Sequence, residues 1–116
     1  MKYDLEERVE KFGEDVLGFV KTIKLDTINK PIIIQLVRSS TSIGANYMEA
    51  NQASSKRDFA NKIRISQKEA NESKHWLRML TRSNPEQAEK CRQFWQEAHE
   101  LVLIFAKISR NSKEKN

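Results

Sequence analysis

A chain of 116 residues is long enough for one domain with a modest core and too short for two. With 32% charged residues, three Gly, two Pro and abundant Glu, Lys, Gln, Ala and Leu, it favours helices over sheet. The net charge of +5 points to an acidic partner, while the single cysteine, Cys91, excludes an internal disulfide and a cysteine-based zinc site. No apolar run approaches the length of a membrane span, and the opening MKYDLEERVE lacks the apolar stretch of a signal peptide, so a cytoplasmic location is expected.

Apolar residues recur at Leu5, Val9, Phe12, Val16, Phe19 and Ile23, spaced four and three apart, which places them on one helical stripe. Asp4 followed by Glu7 reads as a capping box, so a first helix is predicted from about residue 4 to 23. Glu6, Glu10, Glu14 and Asp15 lie off the stripe and give it an acidic, solvated outer face.

Asn29, Lys30 and Pro31 read as the start of a second helix, predicted from about residue 30 to 52, because proline is tolerated in a first turn. Its central stripe is Ile32, Leu36, Ser40, Ile43, Tyr47 and Ala50, flanked by Ile33, Val37, Gly44 and Met48. The other flank is polar, and even the back, Ile34, Thr41 and Ala45, is small or apolar. Between Pro31 and Ala53 only Arg38 and Glu49 carry charge. A helix this poor in charge is expected to be covered on several sides, in part by other subunits.

Ser55 and Asp58 resemble another capping box, opening a third helix predicted from about residue 55 to 82. Its apolar stripe is Phe59, Ile63, Ser66, Ala70, Ser73, Leu77 and Leu80. Asn84, Pro85 and Gln87 form a stop-and-start signal for a fourth helix over about residues 85 to 108, with Ala88, Cys91, Trp95, Ala98, Val102 and Phe105 inward. The polar tail 109–116 is expected to fray. Four amphipathic helices with short connections predict one all-α domain over residues 1–116, an antiparallel up-down-up-down four-helix bundle.

In a hairpin turning near residues 53–55, Arg38 should meet Glu69 and Glu72, and Glu49 should meet Lys62, forming a polar seam between the second and third helices. Arg38 and Glu49 are roughly 16 Å apart along their own helix and cannot satisfy each other. The seam is expected to fix the register of helices or subunits rather than to bind a ligand.

The charge excess is concentrated in the third helix: residues 54–82 hold eight Lys and Arg against three Asp and Glu. Opposite the apolar stripe stand Arg57, Asn61, Arg64, Lys68, Asn71, His75, Arg78 and Arg82, with Lys56 and Lys74 beside them and no carboxylate among them. A solvated face ordinarily mixes signs. The candidate nucleic-acid-binding residues are therefore Lys56, Arg57, Arg64, Lys68, Asn71, Lys74, Arg78 and Arg82, contacting the backbone without reading sequence. The alternative is an interaction module that recruits an acidic protein. No helix-turn-helix, zinc finger or aromatic platform points to base recognition.

Candidates for catalysis are weak. Glu72 and His75 form half of a di-iron Glu-x-x-His pair, but the fourth helix has Gln96 and His99 at that spacing and His75 falls on the outer face. Cys91 sits on an inward stripe, and there is no phosphate-binding glycine loop. The expectation is a protein without enzymatic activity, cofactor or metal.

Arg38-Ser39, Ser42-Ile43, Ala45-Asn46 and Glu49-Ala50, then Phe59, then Lys68-Glu69-Ala70-x-Glu72 with Trp76-Leu77, form a pattern covering most of the chain. It resembles the four-helix-bundle proteins encoded in intervening sequences of 23S ribosomal RNA genes, which are related to the accessory variability determinants of diversity-generating retroelements. The resemblance implies a homopentamer with a basic surface that contacts nucleic acid. The retroelement relatives act with a reverse transcriptase, which makes that enzyme a possible partner. The sequence lies nearer the ribosomal RNA group, and no catalytic residues carry over.

Overall fold

Asp4 opens the first helix by accepting a hydrogen bond from the Glu7 backbone N–H at 2.8 Å. Its charge in turn raises the Glu7 carboxyl above the ordinary range. A computed structural model describes residues 4–114, and among these the chain forms four α-helices and no strand. They are α1 (Leu5–Val20), α2 (Asn29–Asn51), α3 (Lys56–Ser83) and α4 (Ala88–Glu114), with one 3-10 turn at Pro85–Gln87 leading into α4.

Helix α1 packs on α2 and α4, and α3 likewise packs on α2 and α4, with no close backbone approach across either diagonal. With connections this short, the arrangement is an antiparallel up-down-up-down bundle. The 28 residues of α3 rise about 42 Å, close to the 48 Å length of the molecule.

The core is built from the predicted stripes, of which Val9, Phe12, Val16, Leu36, Ile43, Ile63, Leu77, Leu80, Ala98 and Phe105 are buried, and from Leu101, which the predicted stripe of the fourth helix left out. Tyr47 and Phe105 meet across the α2–α4 diagonal with ring centroids 6.2 Å apart. Small residues bring helices close. A Cβ on Gly13 would lie 3.4 Å from the Ser40 carbonyl, and one on Gly44 would lie 3.7 Å from the Val9 carbonyl. Between α2 and α3 the fully buried serines satisfy one another, Ser39 Oγ lying 2.9 Å from Ser73 Oγ, and Ser66 Oγ donating to the Ile43 carbonyl at 3.0 Å.

Three helix ends differ from expectation, the end of α1 and both ends of α4, which begins at Ala88 because Pro85–Gln87 form a 3-10 turn, whereas α2 starts at Asn29 as expected. Helix α1 stops at Val20, and the chain turns with the Thr22 hydroxyl donating to the Phe19 carbonyl at 2.6 Å. Ile23 is still buried, which is why the apolar spacing ran past the helix end. The start of α2 is held by Asp26, whose Oδ1 accepts from the N–H groups of Ile28 at 2.8 Å and Asn29 at 2.7 Å. Asn29 is fully buried and ties two connections together, its amide donating to the Lys24 carbonyl at 3.0 Å and to Asn84 Oδ1 at 3.2 Å. Finally, the tail expected to fray is helical through Glu114, because Ile108 and the buried Ser109 extend the packed stripe by another turn. Its last two residues lie outside the described residues.

The outer side of α2 is not covered within the single chain. Ile34 is 55% and Met48 47% exposed, on one face with the exposed Thr41 and Ala45.

Candidate nucleic-acid interface

Helix α3 buries Ile63, Ser66, Ala70, Ser73, Leu77 and Leu80, which fixes what it turns outward. Arg57, Asn61, Arg64, Lys68, Asn71, His75, Arg78 and Arg82 are all exposed on the opposite side. From Arg57 to Arg82 the helix rises about 37 Å, near the length of one turn of duplex DNA. Arg64 reaches back to Asn61 in a side-chain hydrogen bond. Arg57, Lys68, Arg78 and Arg82, like Lys56 at the helix start, form no ion pair among the described residues.

The two carboxylates in the middle of α3 lie beside this face, on the polar seam. Arg38 of α2 reaches across to both acids in the middle of α3, with Nη1 3.2 Å from Glu69 Oε1 and Nη2 hydrogen-bonded to Glu72. Glu69 first, and Glu72 after it, raise the Arg38 guanidinium further above its ordinary range. Glu69 Oε1 is fully covered; Arg38 faces it as a charge, with no hydrogen aimed at it, while Nη1 donates to Oε2 at 3.4 Å. On the same seam Glu49 accepts from Lys62 Nζ at 2.8 Å and raises its ammonium. The α2 partners thus pair with Glu69 and Glu72 at the side of α3 and take up one of its lysines.

Lys74 is placed elsewhere. It turns toward α4, half-buried, with Nζ 3.0 Å from His99 Nδ1 and 4.5 Å from the Trp95 ring centroid. It supports an indole instead of extending the outer basic face. Trp76, flanked edge-on by His75, lies on the seam side with its Nε1 buried and unpartnered among the described residues.

Sequence reasoning missed two features. Arg8 of α1 pairs with Glu97 and Glu100 of α4. Arg92 of α4 stands beside Arg78 and Arg82 at one cleft, together with Trp95, which is half-buried although an inward position was expected. The hairpin alignment used for the seam, applied to the turn at residues 84–87, brings Arg82 level with Arg92 and would have found the second. No group of three or more His, Cys, Asp or Glu residues that could hold a metal occurs among the described residues, and no described helix is long and apolar enough to cross a membrane.

The model of the 23S rRNA-intervening sequence protein family matches residues 7–107. The chain belongs to that family. Among solved structures, a Bacteroides thetaiotaomicron protein of unknown function from the S23 ribosomal protein family superposes with a TM-score of 0.78 at 31% identity, covering 90% of this chain and 96% of that one. No curated protein matches. Residues 7–107 of this family member take in all of α2 and α3, and so both the seam and the basic face.

Proposed function

We propose that this protein is a non-enzymatic, oligomeric nucleic-acid-binding protein of the cytoplasm that holds RNA or DNA by its backbone along the outward face of α3. The observation that carries the proposal is the row Arg57, Arg64, Lys68, Arg78 and Arg82, exposed along one helix while Glu69 and Glu72 of the same helix are paired with Arg38 on the seam. Such a row displaces counterions from phosphates, and the interleaved Asn61 and Asn71 add hydrogen-bond donors. The uncovered strip of Ile34, Thr41, Ala45 and Met48 supports assembly, with a homopentamer as the proposed form; copies of α3 around a ring would multiply the field.

A second proposal, an acidic protein partner on the same face, draws on Ile65 and Met79, which are 37% and 36% exposed at its margins. Apolar contacts of that kind suit a protein better than phosphates. Fluorescence anisotropy with a structured RNA and a duplex DNA separates the two. Binding that is lost in the Arg64→Glu, Arg78→Glu double variant supports the nucleic-acid proposal, and absence of binding by the unaltered protein overturns it. Sedimentation of the unaltered protein and of Met48→Asp tests the assembly.

A further inference from the structure

Where α3 ends and α4 begins, Arg78, Arg82 and Arg92 converge on one cleft of about 860 Å³. No carboxylate lines it, and none of the three arginines forms an ion pair among the described residues. Three guanidinium groups around one concavity repel one another unless an anion sits between them. Apart from Thr81 the rest of the wall is apolar and includes Met79, Pro85 and Trp95. Phosphate alone has no use for such a wall, and a purely apolar ligand has no use for three arginines. A nucleotide unit carries both parts, and the volume lies within the usual range for small-ligand sites, roughly 300–1,000 Å³.

The wall is also well supported. Trp95 stacks on His99 at 5.2 Å with an interplanar angle of 16°, and Lys74, hydrogen-bonded to that histidine, lies over the indole. Cys91 beneath is buried, with burial pushing its thiol up and keeping it neutral, so the floor adds no negative charge. Arg78 and Arg82 belong both to the outward face of α3 and to the cleft. A strand lying along that face would therefore arrive at the cleft without leaving its phosphate contacts.

We infer that this cleft takes one unpaired base of a nucleic-acid strand, the base against Met79, Pro85 and Trp95 and the neighbouring phosphates on Arg78, Arg82 and Arg92. The inference rests on the nucleic-acid proposal and deepens it: the face of α3 supplies affinity for any strand, and the cleft selects single-stranded over duplex nucleic acid. Bases held against aromatic walls gain affinity with little sequence preference.

Trp76→Phe leaves Trp95 as the sole tryptophan and makes its emission a local probe. In that background a short oligothymidylate and a short duplex are titrated at equal ionic strength, with circular dichroism confirming that each variant is folded. The single strand is expected to quench Trp95. Arg92→Gln, at an exposed position outside the α3 face, is expected to weaken single-strand binding by about tenfold and duplex binding by less than about twofold. Binding of both nucleic acids that depends on Arg64 yet neither quenches Trp95 nor responds to Arg92→Gln overturns the cleft and leaves the α3 face standing. Failure of the unaltered protein to bind either overturns both. Quenching that rises with protein concentration before any oligonucleotide is added assigns the cleft to a second copy of the chain and overturns the inference.

Discussion

Arg8 of α1 holds Glu97 of α4 through two parallel hydrogen bonds, Nε to Oε2 at 2.7 Å and Nη2 to Oε1 at 2.8 Å. Glu100 adds a third at 2.7 Å, and together they raise the Arg8 guanidinium further above its ordinary range, Glu97 first. The pair matters because α1 and α4 form the thinnest of the four helix interfaces, where Phe94 also packs against Phe12 and Phe19. A bidentate clamp at one end and three rings along the middle close the first helix onto the last.

Arg8→Ala is expected to cost about 1 kcal/mol, since the pair is bidentate yet both side chains are about one-third exposed. Arg8→Lys should recover less than half, because an ammonium cannot make the two parallel bonds. Urea unfolding of the three proteins measures both.

Glycine gives a contrast within one helix. Nothing lies within 4 Å of a Cβ built on Gly18, so Gly18→Ala is expected to stabilise the protein by about 0.5–1 kcal/mol through helix propensity. At Gly13 the new methyl would meet the Ser40 carbonyl at 3.4 Å, the near edge of ordinary contact, and the same substitution should gain less than at Gly18. Thermal unfolding of the pair checks the close packing of α1 on α2.

Removing Arg38 from the seam leaves two carboxylates behind. Arg38→Ala strands Glu69, whose side chain is only 13% exposed, and is expected to destabilise by about 1–2 kcal/mol. Adding Glu69→Gln to it should restore part of that loss, and with Glu69→Gln alone the four proteins complete a double-mutant cycle that isolates the pair. Equal stability of all four proteins would show that the seam does not fix the α2–α3 register.

Cys91 reports on the core through pH. Burial pushes its thiol above the ordinary range, with a Thr81 hydrogen bond acting the other way. The folded state therefore favours the neutral thiol; this contribution to stability is complete below about pH 8.5 and is lost as pH rises through the folded value. Alkylation by iodoacetamide at pH 8 should be slow in the native protein and fast in urea, the unfolded chain serving as control.

The bundle was legible because each helix carries an apolar stripe at four-and-three spacing, and the seam because a tight hairpin turns residue numbers into heights. Arg38 could meet only Glu69 and Glu72. The Arg8–Glu97 clamp was not legible, since α1 and α4 are joined by no hairpin and their relative height is set only by the finished bundle. Asn29 was read as part of a helix start, but its amide is spent on bridging Lys24 and Asn84, a long-range contact no local pattern reveals. Lys74 sits where α3 passes from outer face to the α4 side, and only the positions of Trp95 and His99 decide which way it points. The polar tail concealed a packed turn because one small buried residue, Ser109, carries no hydropathy signal.

The dependence of nucleic-acid affinity on salt probes the role of the α3 face most directly. For a short duplex, log affinity should fall linearly with log salt, by about 0.9 per phosphate neutralised, and Arg64→Glu and Arg78→Glu should each reduce the slope by about one. An affinity that is flat across the salt series, or a slope left unchanged by both substitutions, would contradict backbone binding by this face.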